Sequence, residues 1–548
     1  MTTDNTSGRS TIEVFDTTLR DGLQVEGVSA TVEDKLRIAE QLDLLGVTFI
    51  EGGWPGANPK DIEFFARAQH ELHLADATLV AFGSTRRPRG KVDDDATLRN
   101  LVEANTPSVC IVAKSSEYQV TQALQSTLDE GEAMIADSVQ FLTGEGRQVL
   151  VDMEHFFDGF ADNPEFSMRA IEAAVVRGAS HVVLCDTNGG TLPDRIGEIT
   201  SAVVAHVGSD VTVGIHCHDD TGCAVANSLA AVRAGAGHVQ GTLNGLGERT
   251  GNANLTTIIG NLQLKLGHEC IPPGRIERLT VVSHHVAELL NRAVNPQAPY
   301  VGSSAFAHKA GLHVSAIARA KDAYEHVDPA LVGNSTHFVV SEMAGRATIA
   351  IKADELGLEL DGPATNTVID DLKRLEHEGY HFEAADASLE LLMRRAAGWD
   401  HEYFRVESMR VITDELPNGE FNTEATVKVW VGSGDDGSGE DQRHVHTAEG
   451  NGPVHAIDTA LRAAVQKAYP ALARVHLTDF KVRILDGATA TGAVTRVLID
   501  ATNGERSWTT IGVSPNIIEA SWRALEESIV YGLLVAERTA EPMAAVTG

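Results

Sequence analysis

The 548-residue sequence predicts an α/β protein built on a (β/α)8 TIM barrel, followed by helical linker subdomains and a C-terminal α+β regulatory domain. Three observations carry that expectation. Between Thr11 and about Lys265, short β-branched runs alternate with longer stretches of helical periodicity, the pattern of a parallel sheet covered by helices. Eight such runs can be counted, the number a closed barrel needs. Several runs end in polar residues, as the catalytic mouth of such a barrel requires. A doubly wound open sheet is the rival arrangement.

The runs are Ile12 to Phe15, Thr48 to Ile50, Thr78 to Phe82, Ser108 to Val112, Gln148 to Met153, His181 to Cys185, Val211 to Cys217 and His238 to Leu243. Amphipathic stretches such as Val32 to Leu45 and Asp219 to Ala234 separate them. We expect a catalytic domain over residues 11–271 and mostly helical linker subdomains over 272–400. Residues 401–540 then read as three strands and a helix, twice over. The first copy runs Phe404 to Thr413, Glu424 to Val431 and Arg443 to Thr447, then the helix Val454 to Ala468. Its counterpart runs Phe480 to Leu485, Val494 to Ala501 and Trp508 to Val513, then Ile517 to Val535. The Gly, Ser and acid content of Gly432 to Asp441 cannot bury a core and predicts a mobile loop.

Lys and Arg total 44 against 77 Asp and Glu, a formal charge of −33. That balance speaks against nucleic acid and anionic membrane as partners. The five cysteines, Cys110, Cys185, Cys217, Cys223 and Cys270, are odd in number and mostly lie in apolar runs, which argues against a disulfide framework. The first ten residues are polar, and no apolar stretch approaches the roughly 20 residues that span a bilayer. A cytoplasmic protein is expected.

The strand ends carry the chemistry. Strand one ends in Asp16 and continues through Arg20 and Asp21, strand two leads to Glu51, and strand five to Glu154. Strand six leads to Asp186, Thr187 and Asn188, and strand eight into Gly247-Glu248-Arg249-Thr250-Gly251-Asn252. His216 and His218 stand two apart, so on a barrel strand both point inward. Asp21 and the amide oxygen of Asn252 could complete a mixed nitrogen and oxygen site suited to Mn²⁺, Mg²⁺ or Zn²⁺. A His-x-His strand can also simply pack at a barrel mouth; the polar ends of the other strands favour the site. Arg20 lies where an oxyanion or carboxylate would bind, or pairs with Asp16 or Glu51. Both can hold together, with Asp16 in a structural role.

Leu19-Arg20-Asp21-Gly22-Leu23-Gln24, with Lys35 downstream, resembles the first signature of the isopropylmalate, homocitrate and citramalate synthases. His216-Cys217-His218-Asp219-Asp220-Thr221-Gly222-Cys223-Ala224 resembles their second, Gly-Glu-Arg-Thr-Gly-Asn follows, and the likeness extends to the C-terminal module. The resemblance implies Asp21, His216, His218 and Asn252 as metal ligands, with Arg20, Glu154 and Thr187 around the 2-oxo acid and the acetyl thioester of acetyl-CoA. It implies His313 of Gly311-Leu312-His313 as general base, with Tyr324 in support, on a segment supplied by the partner subunit of a homodimer. Val314-Ser315 follows His313 where isopropylmalate synthases commonly have Gln-Asp, and His308 is a nearby competitor for the role.

The Gly52-Gly53-Trp54-Pro55-Gly56 segment, with Ala81 to Arg87 and Glu154 to Gly159, resembles the citramalate-forming subgroup, so the implied 2-oxo acid is pyruvate. Trp54 and the pair Phe156 and Phe157 either face the pocket or pack loops on the barrel. The alternative substrate is 2-oxoisovalerate, as in isopropylmalate synthase. The turn Gly450 to Val454 opens a helix and could bind a carboxylate through backbone N–H groups. The resemblance implies an amino-acid feedback module there, for isoleucine or, in the alternative, leucine; a dimerisation domain alone is the simpler reading. A hydroxyacyl-CoA lyase and a non-catalytic amino-acid sensor are rival functions. Residues from about His401 onward are expected to be separable from the chemistry.

Overall fold

A computed structural model describes residues 11–317, 319–341, 343–432, 441–485 and 492–540. It divides into two compact units, one ending at Phe306 and including Glu325–Thr336, the other comprising Ala307–Tyr324 and the chain from His337 onward. Among the described residues no helix is long and apolar enough to cross a membrane.

The first unit is the predicted closed barrel of eight parallel strands. These are β1 Glu13–Asp16, β2 Phe49–Gly53, β3 Thr78–Ser84, β4 Ser108–Lys114, β5 Gln148–Glu154, β6 His181–Asp186, β7 Thr212–Cys217 and β8 His238–Gly241. Helices α1 Val32–Leu45, α2 Pro59–Glu71, α3 Ala96–Glu103, α4 Leu128–Gly144, α5 Phe156–Asp162, α6 Pro164–Val175, α7 Pro193–Val207 and α8 Ala224–Arg233 run between them. After β8 come α9 Leu255–Asn261 and α10 Leu279–Leu289. Local chemistry sets the boundaries: Thr31 and Asp34 form a reciprocal capping box on α1, and Asn58 caps α2 ahead of Pro59. The apolar faces of strands and helices share one large core. Of the strand ends that differ from the expected runs, two bear on the site. β2 continues to Gly53, so Glu51 lies inside a strand, and β8 stops at Gly241, where a tight turn begins that holds Asn244 at φ 63°.

The second unit opens with the two-stranded sheet of β9 Ala307–His308 and β10 His337–Phe338, and with α11 Gly311–Ile317. Helices α12 Arg346–Glu355, α13 Gly362–His377 and α14 Asp386–Ala396 follow. Then come the two βββα copies: β11 Phe404–Glu415, β12 Phe421–Val431, β13 Gln442–Gly450 and α15 Pro453–Val465; and β14 His476–Ile484, β15 Thr495–Thr502, β16 Ser507–Ser514 and α16 Ile517–Ala540. Each copy is an antiparallel three-stranded sheet. Strands β12 and β15 alternate buried and half-buried residues, the mark of one face against a core. Most of the segment expected to be a mobile loop, Gly432 to Asp441, lies outside the described residues. At the turn before α15, His455 Nδ1 accepts the Asn451 N–H at 3.1 Å, so one backbone donor of the expected carboxylate site is already engaged.

Val368, Leu372, Leu389 and Met393 of the helical stretch share a core with Ile511 and Val513 of β16. A cut at Asp400 therefore passes through a packed core, and separating the tail from the chemistry would uncover apolar surface.

At the N-terminal end of the barrel, His181 Nε2 and His238 Nδ1 both donate to Glu13 Oε2, at 2.7 and 3.2 Å. Burial raises the Glu13 carboxyl, but the two imidazole hydrogen bonds outweigh it and bring it down from 4.5 to about 2. Its contribution is thus present above pH 4.5 and fades as pH falls from 4.5 toward 2. Glu13→Gln is expected to destabilise the barrel at pH 7 by about 1.5–3 kcal/mol, the worth of a hydrogen bond to a charged group. Thermal melts of both proteins between pH 7 and 3 check this: the gap in melting temperature narrows below pH 4.5, and a constant gap contradicts the assignment.

Candidate active site

The site is built from the loops that follow the strands. Asp16, fully buried at the end of β1, accepts the Thr18 backbone N–H at 2.8 Å and the Thr18 hydroxyl at 3.0 Å. Thr18 Oγ1 in turn accepts the Leu243 N–H at 2.9 Å, tying the β1 loop to the β8 loop. Burial pushes the Asp16 carboxyl up to about 7. Asp16 thus shapes the turn, and of the two partners considered for Arg20 it is Glu51 that binds.

The Arg20 Nε donates to Glu51 Oε2 at 2.6 Å, and Nη1 lies 3.2 Å from Asp21 Oδ2. The guanidinium carbon sits 3.9 Å from the centroid of the Phe82 ring, and Trp54 packs edge-on against Phe82 at 5.5 Å. Burial lowers the Arg20 pKa, but Glu51 and Asp21 more than compensate and keep the group protonated. Burial likewise raises Asp21, yet Arg20 and the imidazoles of His216 and His218 hold its carboxyl below the usual range.

His216 is on β7 and His218 just past it, where it forms a β-bridge with Asn252. Nε2 of His216 lies 3.5 Å from Asp21 Oδ2, and Nε2 of His218 lies 3.9 Å from it. The loop carrying Asn252 depends on glycine. Gly247 has φ +153° and a Cβ there would meet the Asn252 amide at 2.6 Å; Gly251 has φ +98° and a Cβ there would meet Gly245 O at 2.1 Å.

Asp21, His216 and His218 are all buried, offer donor atoms within 4.8 Å of one another, and could hold a metal ion. One neighbouring atom fits that use. Asn252 Oδ1 is buried without a hydrogen-bond partner among the described residues, which is costly unless something else binds there. Burial and the adjacent His216 push His218 down to about 4, so its ring is neutral at pH 7 and has a lone pair to give. Burial also lowers His216, but the hydrogen bond and charge of Asp21 raise it.

Glu154 ends β5, where it pairs with Lys114. Thr187 follows β6; its hydroxyl oxygen accepts the His155 N–H at 2.8 Å, and its carbonyl accepts from Arg249 at 2.9 Å. His155 holds φ 56°, an uncommon conformation for a non-glycine residue. Beside Arg20 a cleft of about 650 Å³ is lined by Trp54, Lys35, Asn58 and Lys60 among others. Phe156 and Phe157, considered for the pocket, are instead buried in the barrel core and pack edge-on at 5.9 Å.

His313 and Tyr324 lie in the second unit, where their rings stack at 4.0 Å with 22° between planes. His308 pairs across β9 and β10 with Phe338.

Sequence reasoning missed Gln240 and Asp152. Gln240 is fully buried on β8, directly paired with His216 of β7. His216 Nδ1 lies 2.9 Å from Gln240 Oε1, and Gln240 Nε2 donates to Asp152 Oδ1 at 2.9 Å. The available signal was an amide inside the short strand His-Val-Gln-Gly.

Residues 11–285 match the HMGL-like family, residues 300–380 the homocitrate synthase post-HMGL domain-like family, and residues 383–533 the LeuA allosteric (dimerisation) domain. The (R)-citramalate synthase of Streptomyces coelicolor is 52% identical, over 95% of this chain and 96% of its own length. That of Synechocystis sp. is 50% identical, over 96% of each chain. A probable 2-isopropylmalate synthase of Methanopyrus kandleri is 32% identical, over 94% of this chain and 97% of its own. With a barrel of this topology, this cluster of buried donors and this degree of identity along nearly the whole length, the chain belongs to the HMGL-like family, in its (R)-citramalate synthase branch.

Proposed function

We propose that this chain condenses acetyl-CoA with pyruvate and water to give (R)-citramalate and CoA, an acyl transfer in which the acetyl group becomes an alkyl group of the product. The observation that carries the reading is the 52% identity to a curated (R)-citramalate synthase, against 32% to the relative named a probable 2-isopropylmalate synthase.

In this reading Asp21, His216, His218 and Asn252 hold a divalent ion, Mn²⁺ or Mg²⁺ with Zn²⁺ as a third choice. Bound there, the ion supplies a Lewis acid for the 2-oxo acid. Arg20, fixed between Glu51 and Phe82, presents N–H groups to the oxygen on which charge develops. The Thr187 hydroxyl, whose oxygen already accepts the His155 N–H, keeps its own proton to donate to a substrate oxygen. Glu154, which ends β5, serves the acetyl thioester in this reading. His313, stacked on Tyr324, takes a proton from the acetyl methyl, and the enolate carbon attacks C2 of pyruvate. Water then cleaves the thioester and releases CoA, which draws the reaction forward. The His313 segment reaches the barrel of the partner subunit in a homodimer.

Residues 11–271 carry the barrel chemistry and 401–540 respond to an amino acid, while the mostly helical stretch 272–400 is divided between the two compact units. Isoleucine is the effector expected if citramalate leads to isoleucine, leucine if 2-oxoisovalerate were the substrate. A cytoplasmic location fits the charge and the cysteine usage.

Three outcomes test this reading. Exhaustive chelation is expected to abolish turnover and a divalent ion to restore it, while His216→Ala loses both bound metal and activity with its circular dichroism unchanged. Replacing His313 by Ala is expected to lower kcat by ~10²- to 10⁴-fold, the usual worth of general acid–base help, with metal content kept. If His308→Ala does this instead, the base lies on the neighbouring strand. Trp54 and Phe82 narrow the space beside Arg20, and each methylene to be fitted is worth ~1 to 3 kcal/mol, or about 10- to 200-fold. Thiol release from acetyl-CoA should therefore show kcat/KM for pyruvate at least ~10²-fold above that for 2-oxoisovalerate, with 2-oxobutyrate and 2-oxoglutarate as further comparisons. Equal values would point to the isopropylmalate reaction.

A further inference from the structure

We propose that Gln240 and Asp152 are positioning residues that lock His216 in one tautomer and thereby set the affinity of the barrel site for its ion. The inference rests on the reading of His216 as a metal ligand.

The geometry leaves one consistent assignment. Asp152 is buried, 4% exposed, and its carboxylate oxygen can only accept from the Gln240 amide 2.9 Å away. The amide nitrogen must therefore face Asp152, and the amide oxygen must face His216. That oxygen also only accepts, so the hydrogen bond at 2.9 Å requires a proton on His216 Nδ1. With Nδ1 protonated, a neutral imidazole carries its lone pair on Nε2, and Nε2 is the atom that faces Asp21 at 3.5 Å. Reversing the amide would set its oxygen against the Asp152 carboxylate, so whichever tautomer His216 took, that end of a fully buried side chain would go unpaired.

The scaffold supports the same conclusion. His216 and Gln240 are register partners on adjacent strands of one barrel, so both side chains point to the same interior face at fixed spacing. Asp152 sits on β5, across the barrel from β8, and anchors Gln240 from a third strand. Outer partners of a ligating histidine fix its ring and tautomer, and their loss typically weakens metal binding by ~10- to 100-fold.

The test titrates Mn²⁺ into the metal-free full-length protein by calorimetry, for wild type, Gln240→Leu, Asp152→Leu, Asp152→Asn and His216→Ala. Gln240→Leu is expected to weaken Mn²⁺ binding by ~10- to 100-fold. Asp152→Leu, which frees the amide to turn, is expected to weaken it less. Asp152→Asn keeps an oxygen that accepts the same N–H and should stay within about threefold of wild type, which separates a hydrogen-bonding role from a charge effect. Histidine ¹⁵N spectra of the metal-free wild type, with His216 assigned through His216→Ala, are expected to show Nδ1 protonated. A His216 signal from the Nε2–H tautomer overturns the proposal even if a variant fails to fold. Folded Gln240→Leu with wild-type Mn²⁺ affinity also overturns it. If His216→Ala binds Mn²⁺ as wild type does, the ligand assignment itself fails, an outcome distinct from the other two.

Discussion

The seam where β1 closes on β8 organises the barrel site. Glu13, Val14, Phe15 and Asp16 pair in parallel with His238, Val239, Gln240 and Gly241, and the Thr17 N–H continues the ladder to Gly241 O at 2.8 Å. A closed sheet has no free edge, so a strand near residue 15 and one near residue 240 must meet in a single register. That register places the Arg20 and Asp21 turn beside the β8 loop, and β7 brings His216 and His218 alongside. Without closure, Asp21 and His216 would be nearly 200 residues apart with nothing to hold them 3.5 Å from each other.

Charge inside the barrel is unbalanced in a way that suits a cation. Asp21, Glu51 and Asp152 are buried around a single guanidinium, that of Arg20, and Glu51 Oε1 has no hydrogen-bond partner among the described residues. Burial makes such an excess costly unless it is neutralised. Glu51 shows the cost, since burial and the neighbouring Asp152 and Asp21 raise its carboxyl against the pull of Arg20. A buried cluster of this kind, in which three donors could hold a metal ion, is a costly arrangement for the fold alone and marks a candidate functional site. At the other end of the barrel both imidazoles of His181 and His238 already bond the Glu13 carboxylate, although His238 Nε2 is buried without a partner among the described residues.

The second unit repeats one solution twice. In each copy a helix covers one face of a three-stranded antiparallel sheet, and α15 and α16 contribute to a shared core. The helices between residues 346 and 396 belong with this unit as well: α14 is held to β16 by Ser388, whose hydroxyl oxygen accepts the Ile511 N–H at 3.0 Å, and Asp386 accepts the Thr509 N–H at 2.9 Å. Such side-chain to backbone bonds between distant segments leave no trace in local periodicity.

The eight-strand barrel and the duplicated βββα module were legible in the sequence because both follow from period-two and period-3.6 patterns that local residues carry. Asp21, His216 and His218, which the fold brings within 4.8 Å of one another, were legible as polar residues at or after the ends of β1 and β7, whereas Asn252 stands in the loop well beyond β8. Glu51 and Asp16 illustrate the limit: both acids end apolar runs, yet one holds Arg20 and the other a threonine turn, and only side-chain direction in three dimensions separates them. The partners of Gln240 were hidden for the same reason, although an amide inside a short strand was itself visible. A glutamine in a four-residue strand has no local partner, and its neighbours His216 and Asp152 are 24 and 88 residues away. Sequence alone determined which residue types reach the mouth of the barrel, through the alternation of strands. Only the tertiary structure decided which of them touch, because strand register and closure, and not chain proximity, set the distances between side chains.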